Sequence, residues 1–268
     1  MFDIFGAKDP QKALQRAHEY IREGRKDAAI KVLEENLIDD AESFDLFQEL
    51  ARLYYDAEER GRAVELLRRI QKMVPSRTDE VIAQLSDLFY HHTSIDAGDF
   101  LIQLYNSQQR YEEISKIIRA LSEHDRSLLL KKYEKTRQSV ESKDVVLKHD
   151  FDSMLILSSL KFFLDASEEA VAVVEPLMGI DLFKRPLLTW ARVIARERYS
   201  DSYAVLLLLK VQLANDDYEG ALAQAQRIFE KFPDASDLLI EILSAVKPPP
   251  AVQTAYTQML TDLYITQG

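Results

Sequence analysis

Histidines and carboxylates are the side chains of this sequence that could perform acid–base or metal chemistry. Asp87 and His91 are four residues apart and would share one face of a helix, whereas His92 would point about 100° away. A protein metal site usually needs three or four ligands, and no second pair with metal-ligand spacing follows. The histidines are otherwise scattered, at His18, His91, His92, His124 and His149. We therefore expect a polar helix end at 87–92 and no metal.

The residue patterns of common catalytic sites do not occur in this sequence. The chain has no cysteine, its seven glycines are isolated, and no serine or threonine lies in a recognisable nucleophile motif. Acidic pairs occur at predicted helix ends, where carboxylates cap helices and are solvated: Glu34–Glu35, Asp39–Asp40, Glu58–Glu59 and Asp216–Asp217. We expect neither enzymatic activity nor a cofactor.

Composition and charge restrict the class of protein further. Apolar residues make up 47 % of the 268 residues, which is enough for a continuous core, and helix-forming residues dominate over glycine and proline. The net charge of −11 argues against a nucleic-acid partner, because such binding comes mainly from neutralising phosphates. The N-terminus lacks a signal-peptide pattern, and the longest apolar run, 204–209, is too short to span a membrane. The expectation is a soluble, cytoplasmic, all-helical protein.

The stretch Phe47–Pro75 has the pattern of two amphipathic helices folded against each other. Large apolar residues recur at helical spacing around a small alanine in its first half, a polar break follows near 58–60, and proline ends the second half. Four residue pairs of the same type lie 34 residues apart: Ala17 and Ala51, Tyr20 and Tyr54, Ala29 and Ala63, and Leu33 and Leu67. A fixed period of this length indicates a helical repeat.

This repeat resembles the tetratricopeptide repeat (TPR) family. The residues that match the family pattern are Phe47, Leu50, Ala51, Tyr54, Gly61, Ala63, Leu67 and Pro75. A second match covers 205–233 through Tyr218, Ala221, Ala225, Ile228 and Pro233, although Leu209 and Gln212 depart from the pattern. The resemblance implies an all-α, right-handed TPR-like solenoid of about fifteen antiparallel helices. It also implies a non-catalytic scaffold or adaptor that binds protein partners.

The expected organisation is a tail at 1–9, N-terminal repeats at 10–144, and C-terminal repeats with a closing helix at 145–268. We expect these to form one continuous solenoid, with 139–149 as the plausible hinge. Between the two matches we expect divergent helices near 78–92 and 97–107. Pro176 should kink or end the helix that precedes it.

The resemblance also implies a concave groove that holds a partner peptide or helix. Alignment with the family places seven residues there: Leu14, His18, Ile21, Asp45, Gln48, Arg52 and Tyr55. The set of Lys, Asn and Arg with which family members grip a terminal carboxylate is missing, so we expect a partner of mixed or basic character. The alternative is that these are ordinary solvent-facing residues.

Other interpretations stay open at this point. Basic clusters at 131–137 and 184–198 could serve a regulatory or nucleic-acid-associated helical-repeat protein, although solvated faces with opposite charges one turn away are the ordinary explanation. Self-association through 206–213 is possible. The apolar N-terminal residues Phe2, Ile4 and Phe5 and the closing helix 252–264 are either intramolecular caps or docking surfaces.

Overall fold

Fourteen α-helices make up most of the regular structure in the computed structural model, which describes residues 9–38, 43–92, 94–124 and 148–267 with isolated positions at 127–138. No strand occurs among these residues, and the predicted all-helical class is confirmed. The chain divides into two compact units, unit 1 at 1–108 and unit 2 at 109–268. The division placed at 144 and 145 from the sequence, like most of the expected hinge, lies outside the described residues and stays a prediction.

The helices expected near 78–92 and 97–107 and the closing helix 252–264 are present as Thr78–His92, Ile95–Ser107 and Pro250–Gln267. Unit 1 contains α1 (Pro10–Arg22), α2 (Lys26–Glu35), α3 (Phe44–Asp56), α4 (Arg60–Met73), α5 (Thr78–His92) and α6 (Ile95–Ser107). Unit 2 contains α7 (Tyr111–His124), α8 (Lys148–Phe163), α9 (Ser167–Val174), α10 (Lys184–Glu197), α11 (Ser202–Ala214), α12 (Tyr218–Lys231), α13 (Ser236–Ser244) and α14 (Pro250–Gln267). None of the described helices is long and apolar enough to cross a membrane.

Local chemistry explains where several helices begin and end. The Asp9 and Asp217 side chains cap α1 and α12, accepting hydrogen bonds from the backbone N–H groups of Lys12 at 3.1 Å and Gly220 at 3.0 Å. α9 ends at Val174, and Pro176 lies in the short 3-10 helix Glu175–Leu177 that follows. The predicted break at Pro176 is therefore confirmed.

The same turn joins four pairs of consecutive helices: α1 to α2, α3 to α4, α8 to α9, and α11 to α12. In each turn one residue is left-handed, with φ of 74° at Gly24, 64° at Glu58 and 59° at Asp165 and Asp216. The next N–H donates to a carbonyl five residues earlier: Arg25 to Tyr20, Glu59 to Tyr54, Ala166 to Lys161, and Asp217 to Gln212. This pattern is the Schellman arrangement that ends helices. Because the connections are so short, the joined helices run antiparallel.

The core of unit 1 contains the apolar stripe that the repeat pattern picked out. Its buried members are Ala17, Ala29, Leu33, Phe47, Leu50, Ala51, Tyr54, Ala63 and Leu67. Small residues at repeat positions allow neighbouring helices to approach closely, and α3 packs against α4 as α1 packs against α2. The same close approach brings α5 and α6 together at Gly98, where a Cβ atom would lie 2.8 Å from the ring of Phe89.

The core of unit 2 surrounds α11, whose residues 204–209 are buried, in agreement with the nearly continuous apolar run. Three residues of the predicted closing helix, Tyr256, Met259 and Leu263, are buried with residues of α11, α12 and α13 in one hydrophobic cluster. This face of α14 is therefore covered within unit 2.

Candidate partner-binding groove

A groove with a volume of about 780 Å³ lies on unit 1 between α1, α3, α4 and α5. We call it the unit 1 groove. Its lining residues are Leu14 and His18 from α1, Asp45, Gln48, Glu49, Ala51, Arg52, Tyr55 and Asp56 from α3, Leu67 from α4, and Ala83, Gln84, Asp87 and Leu88 from α5. Six of the seven residues selected from the sequence are in this set. Ile21, in the last turn of α1, does not line the groove.

Helical spacing explains how one helix contributes half of this surface. The α3 lining residues follow one another at intervals of three and four residues, with Ala51 and Asp56 beside them, and so share a face. The opposite face carries Phe47, Leu50 and Tyr54, which are buried in the core. Packing of that stripe fixes the rotation of α3 and thereby points the polar face into the groove.

The contribution of α5 was not identified from the sequence. Ala83, Gln84, Asp87 and Leu88 lie at helical spacing on the 78–92 helix, so the signal was present in the sequence. The TPR pattern loses its phase after Thr78, and no residues were aligned with the family there. Glu49 and Asp56 were missed because they flank the aligned α3 positions.

The charges at the centre of the groove belong to two residues of α3. Arg52 donates hydrogen bonds to the Glu49 carboxylate, from Nη2 to Oε1 at 2.5 Å and from Nε to Oε2 at 3.2 Å. The His18 Nε2 lies 3.9 Å from the same Glu49 Oε1. The hydrogen bonds that Arg52 donates to Glu49 raise the pKa of Arg52, because a neighbouring carboxylate favours the charged guanidinium.

The remaining carboxylates of the groove have cationic or imidazole neighbours at its edge. Asp56 Oδ2 lies 3.0 Å from Lys26 Nζ. Asp45 Oδ1 lies 3.6 Å from Arg77 Nη1, and Asp87 Oδ1 lies 3.8 Å from His91 Nε2. These last two separations exceed an ordinary hydrogen-bond distance, so Asp45 and Asp87 are only loosely paired.

Tyr55 is half-buried, and His92 orients its ring. The two ring centroids are 4.5 Å apart with the planes at 89°, an edge-to-face contact. Arg60 of α4 in turn donates a hydrogen bond to the His92 carbonyl oxygen at 3.0 Å. Tyr55 is thus a fixed aromatic surface of a kind that frequently anchors protein interfaces.

The lining combines apolar side chains with four carboxylates, one guanidinium and one imidazole. Such a surface can bury apolar groups of a ligand and pair with its charges. Within the described residues, no group of three or more His, Cys, Asp or Glu could hold a metal ion.

No protein-family model matches this chain, and no curated protein matches it. The TPR resemblance therefore rests on the residues and spacing of the sequence.

The basic cluster at 184–198 is engaged in ion pairs within unit 2. Four of its five cations pair with carboxylates: Lys184 with Asp181 at 2.8 Å, Arg192 with Asp217 at 3.9 Å, Arg196 with Glu112 at 3.1 Å, and Arg198 with Asp165 at 2.9 Å. Each pair reduces the positive charge available for a phosphate backbone. In the 131–137 cluster Lys131 and Lys135 are exposed, and other members lie outside the described residues.

Proposed function

We propose that this protein is a non-catalytic interaction scaffold, built as a right-handed TPR-like solenoid, that binds a segment of a partner protein in the unit 1 groove. The observation that carries this proposal is the clustering of six side chains selected from the sequence, which line one groove together with residues of α5. A surface formed by several successive helices is what a stacked helical repeat offers for binding.

The repeat itself is supported by burial at equivalent positions. Ala17 and Ala51 are both buried, and the same holds for Ala29 and Ala63 and for Leu33 and Leu67, each pair 34 residues apart. The left-handed residues Gly24 and Glu58 have the same separation. Two helix pairs of unit 1 therefore share both their core positions and their turn, as tandem copies of one structural motif should.

The groove contains residue types suited to protein recognition. Tyrosine and arginine often dominate interface energies when they lie centrally among apolar neighbours. Tyr55 presents a fixed ring, and Arg52 lies next to the small Ala51 with more than half of its side chain exposed. A peptide lying along α3 would contact both residues while covering the apolar lining.

Affinity purification of the tagged full chain from its native cells tests the proposal. We expect specific partners to be recovered with the wild type and lost with Tyr55→Ala. Tyr199→Ala is the matched control, because it removes an exposed tyrosine from unit 2. Arg52→Glu provides a second groove variant that removes an exposed side chain and should leave folding intact.

Each variant must have the same helical content as the wild type, measured by circular dichroism. Recovery of the same partners in the same amounts from the wild type and both folded groove variants would refute the assignment of the groove.

A further inference from the structure

Exposed carboxylates lie at both ends of the unit 1 groove. Asp45 is in the first turn of α3 and Asp56 is its last residue, so the rise of an α-helix separates them by about 16 Å. Asp87 adds a carboxylate from the second half of α5. Leu14 of α1 and Ala83 of α5 contribute accessible apolar side chains, whereas Ala51 and Leu67 are buried beneath the surface. The lining thus combines apolar groups and the Glu49–Arg52 pair with carboxylates toward both ends.

The charge of the lining is negative overall. It contains the carboxylates of Asp45, Glu49, Asp56 and Asp87 against the single guanidinium of Arg52, which Glu49 already binds. Asp45 and Asp87 have 68 % and 57 % of their side chains exposed, so both can meet a ligand. Their neighbours compensate them weakly. Arg77 donates two hydrogen bonds to Glu80, at 2.6 and 2.7 Å. Its distance to Asp45 is longer, 3.6 Å from Nη1 to Oδ1.

The length of α3 sets the length of an occupant that lies along the groove. At about 3.3 Å per residue, an extended segment covers the distance between the terminal carboxylates with about five residues.

We propose that the occupant of the unit 1 groove is a peptide segment with lysine or arginine on both sides of an apolar centre, spaced to reach both ends of α3. This inference rests on the proposed function, since it assigns a ligand class to the same groove. The cations pair with Asp45 at one end and with Asp87 at the other, since Lys26 already binds Asp56. Apolar side chains between them contact Leu14, Tyr55 and Ala83.

Selection from a random peptide library displayed on phage tests the ligand class, with the full chain as the target. Groove-dependent binders are those retained by the wild type and by Tyr199→Ala but lost with Tyr55→Ala. We expect them to carry lysine or arginine on both sides of an apolar centre. The double variant Asp45→Lys with Asp87→Lys should instead select peptides with acidic flanks.

The possible outcomes separate the two proposals. Groove-dependent binders without basic flanks would overturn the ligand class and leave the scaffold function standing. The absence of any groove-dependent binder would overturn both. Sedimentation measurements on the wild type and on Tyr55→Ala test whether a second copy of the chain occupies the groove instead. A wild-type dimer that becomes monomeric in Tyr55→Ala would identify a second copy of the chain in the groove, and would overturn the peptide proposal.

A synthetic peptide of the selected sequence then measures the contribution of each end. Asp45→Asn and Asp87→Asn should each weaken its binding about two- to fivefold, the usual effect of an exposed ion pair. Affinity should also fall as salt is raised. Unchanged affinity in both variants and at high salt would show that the carboxylates do not bind the peptide, which contradicts the inference.

Discussion

Arg52 binds Glu49 one helical turn earlier in α3, through two hydrogen bonds at the centre of the unit 1 groove. Only 15 % of the Glu49 side chain is exposed, compared with 55 % of Arg52. The carboxylate is therefore the inner member of the pair, and the guanidinium covers it. A ligand entering the groove meets a nearly neutral pair, so the exposed carboxylates Asp45 and Asp87 contribute most of the negative charge available to it.

The Glu49–Arg52 pair predicts that Glu49→Gln and Arg52→Gln change the affinity for a basic peptide in opposite directions. Glu49→Gln leaves the Arg52 charge uncompensated and should weaken a basic peptide about two- to fivefold. Arg52→Gln leaves the Glu49 charge uncompensated and should strengthen the same peptide by a similar factor. Isothermal titration with a groove-dependent peptide at low salt measures both. Changes of the same direction in both variants would show that the charge of the pair does not control binding.

The sequence contains enough information to predict α3 and its two faces, because Phe47, Leu50 and Tyr54 repeat at helical spacing and match a family pattern. Position by position, that pattern also led to His18 and Arg52. It could not lead to Asp87, because α5 follows a break in the repeat. The ion pair between Asp45 and Arg77 joins residues 32 positions apart, and only the packing of their helices brings them together. The division after Gln108 likewise depends on contacts distant in sequence.

Tyr54 joins three helices of unit 1 through its hydroxyl. It donates a hydrogen bond to Glu34 of α2 and accepts one from Arg62 of α4 at 2.5 Å, and the Arg62 guanidinium lies 4.0 Å from the centre of its ring. Tyr54→Phe removes both bonds, so the free energy of unfolding should fall by about 1–2 kcal/mol. Urea unfolding followed by far-ultraviolet circular dichroism measures this loss. Tyr199→Phe, at an exposed tyrosine of unit 2, should change stability by less than about 0.5 kcal/mol.

At Tyr256, in contrast to Tyr54, we expect substitution by phenylalanine not to lower the free energy of unfolding at pH 7. It is only 2 % exposed, and its hydroxyl has no hydrogen-bond partner among the described residues. Burial, assisted by Tyr218, raises the pKa of Tyr256 to about 12. The unfolded chain releases this proton near pH 10, so the stability linked to the neutral hydroxyl is complete below pH 10 and is lost as pH rises toward 12.

Tyr256→Phe should therefore reduce the loss of stability between pH 10 and 12. At pH 7 it should leave the free energy of unfolding unchanged or raise it by up to about 1 kcal/mol, because it removes a buried, unbonded hydroxyl. The fluorescence of Trp190, the only tryptophan, reports urea unfolding of unit 2 at each pH. Tyr264→Phe, on an exposed face of α14, is the control. An identical pH dependence for Tyr256→Phe and the wild type would contradict this explanation.

Two helical glycines provide a matched test of the packing between α5 and α6. Gly61 lies in α4, and apart from its chain neighbours and the backbone of its own helix no atom lies within 4 Å of the position that a Cβ would occupy. Gly61→Ala should raise the free energy of unfolding by about 0.5–1 kcal/mol, because alanine restricts the unfolded chain and favours helix.

At Gly98 the same methyl group would lie 2.8 Å from two ring atoms of Phe89, which is itself buried. Overpacking of a core typically costs about 1–3 kcal/mol, more than the gain in helix propensity. We therefore expect Gly98→Ala to lower stability in urea unfolding followed by circular dichroism, and stabilisation by both substitutions would show that α5 and α6 do not approach this closely.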